Sequence, residues 1–269
     1  MNWLEFPPLS PAKTLATEEA LLDAAEAGTC SETLSFWESN QHFIVLGYGN
    51  KVATEVNRPA CERLGIPILR RCSGGGTVLQ GPGVLNYSLI LRATENTPLA
   101  NINGANQFIM QRNAEALTKL LGSALPRPIG WGEGRGEGQS GQTAAPSCRV
   151  QVQGHTDLAI AGRKFSGNAQ RRKRTHLLFH GAILLNLNLQ LLDEVLPQPT
   201  LQPDYRSDRS HQDFLTQLGL SADSVKQALC QAWSATEQTS LDSLMKDWCG
   251  SVERLAAEKY SRREWNFRV

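Results

Sequence analysis

Two hydrophobic periods alternate along the chain. In 11–27, Ala12, Leu15 and Leu22 fall on one face at helical spacing, and in 101–121 Ile109, Leu117, Leu120 and Leu121 do the same. Both stretches predict helices. Short strand-like runs occupy 33–37 and 42–46, split by the polar Glu38-Ser39-Asn40 and closed by Gly47-Tyr48-Gly49-Asn50. A short helix is predicted over 56–64. A strand over 66–71 then runs into Gly74-Gly75-Gly76, and another follows at 83–91. Further strands are predicted at 149–153, 157–160, 164–170 and 177–185, with Ala161-Gly162 turning the second into the third. The remainder reads as helical at 189–196, 211–218, 221–235 and 241–260, and Pro197, Pro199 and Pro203 break apart the first two. The central strands lie too close together for helical crossovers. The expected fold is therefore α+β, a mixed, largely antiparallel sheet flanked by helices.

Composition narrows the classes. The chain has 269 residues, 41% hydrophobic and 20% charged, ordinary for a globular protein. Lys and Arg number 27 against 26 Asp and Glu, and this near-neutrality excludes a global basic face for nucleic acid. No apolar run approaches the roughly 20 residues of a membrane span, and the N-terminus lacks the basic-then-apolar order of a signal peptide. Six cysteines are scattered with no C-x-x-C pair, so no metal site is expected and reduced thiols in a cytoplasmic compartment are. The stretch 130–146 holds little besides Gly, Gln, Glu and small residues and reads as a flexible loop, too short to divide the chain into independent domains.

The strongest chemical signal is Arg70-Arg71-Cys72-Ser73-Gly74-Gly75-Gly76-Thr77-Val78. Three glycines leaving a strand carry no side chains to bar a ligand, and their amides can point at an anion. Two arginines before them supply charge and forked donors suited to phosphate or carboxylate, and Ser73 adds a hydroxyl. A glycine-rich hairpin with exposed arginines is the plainer alternative. Neither G-x-x-x-x-G-K-[ST] nor G-x-G-x-x-G opening a helix is present, so the common nucleotide loops are not supported.

A second signal runs from Asp157 to Gln170, DLAIAGRKFSGNAQ. Strand alternation places Lys164, Ser166 and Asn168 on one side, with Phe165 and Gly167 on the other. A lysine among small polar residues suits neutralising a phosphate or polarising a carbonyl, although an edge-strand lysine that guards against aggregation has the same appearance. The basic run Arg171-Arg172-Lys173-Arg174 is either a solvated face or a docking patch for an acidic partner. His180 at a strand start is a further pocket candidate.

Together these strings, with HGAILLN at 180–186, resemble the lipoate-protein ligase A group of the biotin/lipoate protein ligase and lipoyl(octanoyl)transferase superfamily, in both order and spacing. The resemblance covers most of the chain. It implies the α+β catalytic domain of that superfamily over 1–269, with the Gly-rich loop inside it and no C-terminal accessory domain. It implies ATP and Mg2+ to activate lipoate as lipoyl-adenylate, and transfer to one lysine of an acidic lipoyl-domain acceptor, with neither nucleic acid nor membrane as partner. Arg71, Ser73, Gly74, Gly75, Gly76 and Thr77 would surround the acyl-adenylate. Lys164 would contact its carbonyl and phosphate oxygens. Asp157, Ser166, Gly167, Arg171 and His180 would fall at pocket or adjacent positions. Val78, Leu79 and Leu85 are candidates for the apolar slot, and Trp233, Trp248, Leu241 and Leu244 read as scaffold. Cys148, about ten residues before Leu158, sits where the octanoyltransferase branch places its acyl-thioester cysteine. ATP-independent transfer from an octanoyl acyl carrier protein is therefore the alternative activity, and a non-catalytic lipoate-binding protein a remoter one. Biotin ligation fits less well, for want of GRGR-type spacing.

Overall fold

The computed structural model describes residues 1–124, 149–199 and 201–268. Within them the chain forms β1 (Asn2–Glu5), α1 (Pro11–Glu26), β2 (Thr33–Trp37), β3 (Phe43–Leu46), α2 (Val52–Glu55), α3 (Arg58–Leu64), β4 (Ile68–Arg70), β5 (Val78–Gln80), β6 (Val84–Arg92) and α4 (Ile102–Ala124). It continues with β7 (Gln151–Gln153), β8 (Asp157–Ile160), β9 (Arg163–Arg172), β10 (His176–Leu184), α5 (Leu189–Val195), α6 (His211–Phe214), α7 (Ala222–Ala232), β11 (Glu237–Gln238), α8 (Leu241–Leu244), α9 (Trp248–Leu255) and α10 (Arg263–Asn266). The Gly-rich stretch 130–146 and Cys148 lie outside the described residues.

Eight strands form one sheet in the order β11-β1-β2-β6-β10-β9-β8-β7. β1 runs parallel to both its neighbours, and the other pairs are antiparallel. A small second sheet, β4-β3-β5, pairs β3 parallel to β4 and antiparallel to β5. Alternation along the long strands sorts side chains between two faces. Phe36, Leu85, Tyr87, Leu89 and Phe179 form one cluster with Ile109 and Leu117 of α4 and Leu229 of α7. Ile90 and Leu178 face the other way, onto Leu15, Leu21 and Leu22 of α1 and Val252 of α9. A third cluster joins the small sheet to α5 and α6 through Ile44, Leu79, Leu192 and Phe214. Helices thus cover both faces of the large sheet, which is the expected α+β class.

Several elements differ from the sequence expectation for local reasons. β1 gives no periodic signal, because only Leu4 of its four residues is buried. The runs 33–37 and 42–46 are both strands, but they belong to different sheets. The helix expected over 56–64 is α3, which begins where the Asn57 side chain accepts from the Ala60 amide, and a separate short helix, α2, precedes it. The helix expected over 241–260 is interrupted, because Asp247 caps a fresh start at α9. The helix expected over 211–218 stops at Phe214. Beyond it Leu215 pairs with Lys164, and the Thr216 amide donates to the Lys164 carbonyl at 2.8 Å. The Ala161-Gly162 turn is as expected, with both residues at positive φ, 50° and 72°.

Candidate active site

A cavity of about 140 Å³ lies between the large sheet, α1, and the turn joining β4 to β5. Its floor comes from strand neighbours in register: Asn86 on β6, His180 and Ala182 on β10, and Gly167 and Ala169 on β9. The triple-glycine turn and Val78 line it as well, and Leu15, Trp37 and Val45 give it an apolar wall.

Lys164 and Asp157 stand at this cavity. The lysine Nζ is 2.7 Å from Asp157 Oδ1, and the other carboxylate oxygen accepts from the Tyr205 hydroxyl at 2.7 Å. Burial, and next the adjacent Asp157 charge, push the Tyr205 phenol well above its ordinary range, so it stays protonated and donating. The main chain is tied down on the same side. Arg163 Nη2 donates to the carbonyls of Gln212 and Leu215 at 2.7 and 2.6 Å, and Arg209 Nη2 donates to Gly162 O at 3.0 Å.

The face expected for this strand needs correction. Pairing between β8 and β9 shifts register between Leu158 and Ala159, so Ala159 opposes Lys164 while Leu158 opposes Ser166. The extra residue, Phe165, goes into the core. Lys164 therefore reaches over Gly167 instead of sharing a side with Ser166 and Asn168. A Cβ on Gly167 would fall 2.9 Å from Nζ. Asn168 turns away to accept from Tyr87 Oη at 2.5 Å and to donate to Thr156 O and Ser166 Oγ.

The two arginines also differ from expectation. Their donors serve carbonyl groups of the protein. Arg71 Nη2 donates to Gly74 O and Gly76 O at 2.6 and 2.8 Å, and Nε lies 3.1 Å from both Ser73 Oγ and Gly74 O. Burial draws its pKa down to about 10. Arg70, wholly buried, gathers carbonyls from 47–50 and 265–268. Both are clamps that shape the turn. The Gly74 and Gly76 carbonyls are held by Arg71, and the Gly75 and Gly76 amides have no acceptor among the described residues. Gly75 adopts φ 86°, a conformation costly for any side-chain-bearing residue. The turn thus keeps bare amides beside the cavity, as the glycines suggested.

Deeper in, Glu18 of α1 accepts from Trp37 Nε1 at 3.0 Å and lies 2.7 Å from His180 Nδ1, while His180 Nε2 lies 2.5 Å from Ser73 Oγ. The carboxylate fixes a proton on Nδ1. His180 is mid-strand, not at a strand start, and its ring joins α1 to the glycine turn. Thr77 lines the cavity and shares a 2.9 Å hydrogen bond with Asn50. Arg171 is exposed, its guanidinium 5.9 Å from the Tyr48 ring and outside the cavity lining. The rest of the basic run is partly engaged. Arg172 donates to Leu99 O and Ala100 O, and Lys173 pairs with Asp23.

Residues 10–234 match the lipoyl protein ligase A/B catalytic domain. The chain belongs to that family. It is 29% identical to the octanoyltransferase LipM of Geobacillus kaustophilus over 272 residues, covering 96% of this chain and 94% of the relative. Two solved structures share the fold. A bipartite archaeal lipoate protein ligase with its E2 lipoyl domain, from Thermoplasma acidophilum, superposes with TM-score 0.74 at 21% identity, covering 99% of this chain and 95% of that one. A lipoate-protein ligase A bound with ATP does so with TM-score 0.74 at 22%, covering 99% and 98%. The protein is thus an enzyme of the lipoyl ligase and transferase class.

Around this cavity, sequence reading missed Leu15, Glu18, Trp37, Val45, Asn86 and Tyr205. Glu18 sits in an alanine-rich helix that reads as core, and only its burial at 3% exposed marks it. Of the slot candidates, Val78 lines the cavity, Leu79 lines a neighbouring chamber, and Leu85 is core. Trp233, Leu241 and Leu244 are buried scaffold as expected, whereas Trp248 is half-buried. None of the described helices is long and apolar enough to cross a membrane.

The Tyr205 hydroxyl holds the Asp157 carboxylate that pairs with Lys164. Tyr205→Phe is expected to lower kcat about 10- to 100-fold, the worth of one hydrogen bond to a charged partner, with KM unchanged. Steady-state kinetics checks the split.

Proposed function

We propose that the protein is an octanoyltransferase, which takes an octanoyl group from an acyl carrier protein thioester and places it on a lysine of a lipoyl-domain protein without ATP. The observation that carries this reading is the near end-to-end likeness to the octanoyltransferase LipM. Likeness to the ATP-bound ligase supports the shared fold.

The geometry supports the chemistry. The acyl tail lies along Leu15, Trp37, Val45 and Val78, and the carbonyl meets Lys164 Nζ and the bare glycine amides. A cation and aimed N–H donors stabilise the oxyanion of a tetrahedral intermediate. The nucleophile is Cys148. Its thiolate bonds to the carbonyl carbon, the carrier's C–S bond breaks, and the carrier thiol leaves with a proton. The acceptor lysine amine then attacks the acyl-cysteine and returns the thiol. Among the described cysteines none lines the cavity. Cys72, inside the glycine motif, is buried and pushed up to about 12, which keeps it a thiol.

The experiment supplies octanoyl carrier protein and an apo lipoyl domain without nucleotide, read by intact mass. The acceptor is expected to gain one octanoyl group, and an octanoyl-enzyme is expected when the acceptor is omitted. Cys148→Ser is expected to abolish both. A ligase would need ATP and Mg2+ with free lipoate or octanoate and would tolerate Cys148→Ser. That outcome would overturn the proposal in favour of adenylate chemistry.

A further inference from the structure

A second chamber, of about 290 Å³, opens off the same ammonium. It shares Gly76, Thr77, Val78, Asp157, Lys164 and Gly167 with the acyl cavity, so the two meet at the place where the carbonyl would sit. Its own walls are mainly aliphatic: Leu79, Leu184, Leu187, Leu192 and Leu196, with Pro199 at the side. Its polar lining includes Arg206 and His211. Arg206 is 4% exposed and lies over the Phe214 ring at 4.8 Å. Its Nε donates to Arg209 O at 3.0 Å, and one Nη is 3.4 Å from His211 Nδ1. Among the described residues it forms no ion pair. With its Nε and one Nη so engaged, this guanidinium still has N–H groups to offer an occupant of the chamber.

An acyl carbon carries its tail on one side and its leaving group on the other. With the tail in the first cavity and the carbonyl at Lys164, the leaving group is directed into the second. We propose that this chamber holds the pantetheine arm of the thioester donor, an inference that rests on the octanoyltransferase reading. The arm's gem-dimethyl group and methylenes match the leucine walls, and its amide carbonyls can accept from the remaining Arg206 N–H groups. An adenosine is the rival occupant of the same chamber, and the test separates the two.

The test uses the full-length enzyme and an apo lipoyl domain with two donors, octanoyl-pantetheine and the truncated octanoyl-N-acetylcysteamine. The wild type is expected to prefer the longer donor by about tenfold or more in kcat/KM, since remote contacts are realised in the transition state. Leu184 is half-buried, and Leu184→Trp fills the chamber; the ratio of the two donors is expected to fall toward one. Pro199→Trp provides the same reading from the other wall if Leu184→Trp folds poorly. Free pantetheine is expected to compete with octanoyl-pantetheine, and AMP is not. Equal use of both donors by the wild type, a preference that survives both variants, or competition by AMP would each overturn the assignment. Transfer from free octanoate with ATP, and from neither thioester, is a different outcome: it removes the octanoyltransferase reading itself, and the arm site with it.

Discussion

Lys164→Met is expected to lower acyl transfer about 10²–10³-fold, the cost of removing one donor aimed at a developing oxyanion. The methionine keeps an unbranched stem in the space between Asp157 and Gly167 and removes only the ammonium. Asp157 retains its bond from Tyr205, so the carboxylate is not stranded and the fold is expected to survive. Circular dichroism and a thermal melt check that point, and single-turnover transfer to an apo lipoyl domain checks the loss. Gly167→Ala separates the presence of the charge from its position. A Cβ there would approach Lys164 Nζ at 2.9 Å and Cε at 3.0 Å, atoms at the far end of a flexible chain that can move aside without disturbing the sheet. Gly167→Ala is therefore expected to melt like the wild type yet lose roughly 10–10² in rate, because about an ångström of misplacement is costly at a reacting carbonyl. Full activity in Lys164→Met would remove this ammonium from the chemistry, and full activity in Gly167→Ala would show that its exact position does not matter.

How far the site could be read beforehand depended on how local its determinants are. Gly75 announces itself, because positive φ beside a cavity has few other solutions in a sequence. The Ala161-Gly162 turn and the strands either side were legible for the same reason. Lys164 was legible as a residue but not as a direction. Period-2 alternation assumes an unbroken ladder, and the register shift opposite Ala159 has no composition signal. The arginines were legible as charge but not as burial, although Arg71 does line the cavity. An exposed Arg70-Arg71 pair would seek an anion, whereas these two lie at 0% and 8% exposure, where bonding to carbonyls is the cheaper state. Glu18 and Tyr205 were invisible, since each acts across more than forty residues of chain, on His180 and Asp157 respectively. The same distance explains why Leu215 to Leu218 looked helical: its partners, Lys164 and Leu184, are far away in sequence.

Arg70→Met is expected to produce the largest loss of stability of any single change near the site, about 3–5 kcal/mol. The guanidinium has six main-chain carbonyl oxygens within 2.7–3.2 Å: Gly47, Tyr48 and Asn50 on one side, Trp265, Asn266 and Arg268 on the other. Its own amide donates to Asn266 Oδ1, and its carbonyl accepts from Trp265 Nε1. These bonds, with Arg268 Nη2 donating to Tyr48 O at 2.8 Å, tie 265–268 to the loop after β3. Methionine fills most of the volume; Gly47 O keeps the Asn50 amide and Tyr48 O the Arg268 guanidinium, but the Asn50, Trp265, Asn266 and Arg268 carbonyls lose the Arg70 donor, and that penalty exceeds the gain from no longer burying a cation. For a chain of this length that loss corresponds to a melting point roughly 10 °C lower. Function is expected to fail by the same route. Arg70 adjoins Arg71 and the glycine turn, so loosening 47–50 frees the surface against which Gly75 packs and lets its amides wander from the carbonyl. Hydrogen exchange provides the direct check: amides in 47–50 and 265–268 should lose protection together in Arg70→Met, while those of α4 keep theirs. Protection lost evenly throughout, or not at all, would show that the arginine is not the link between these two segments.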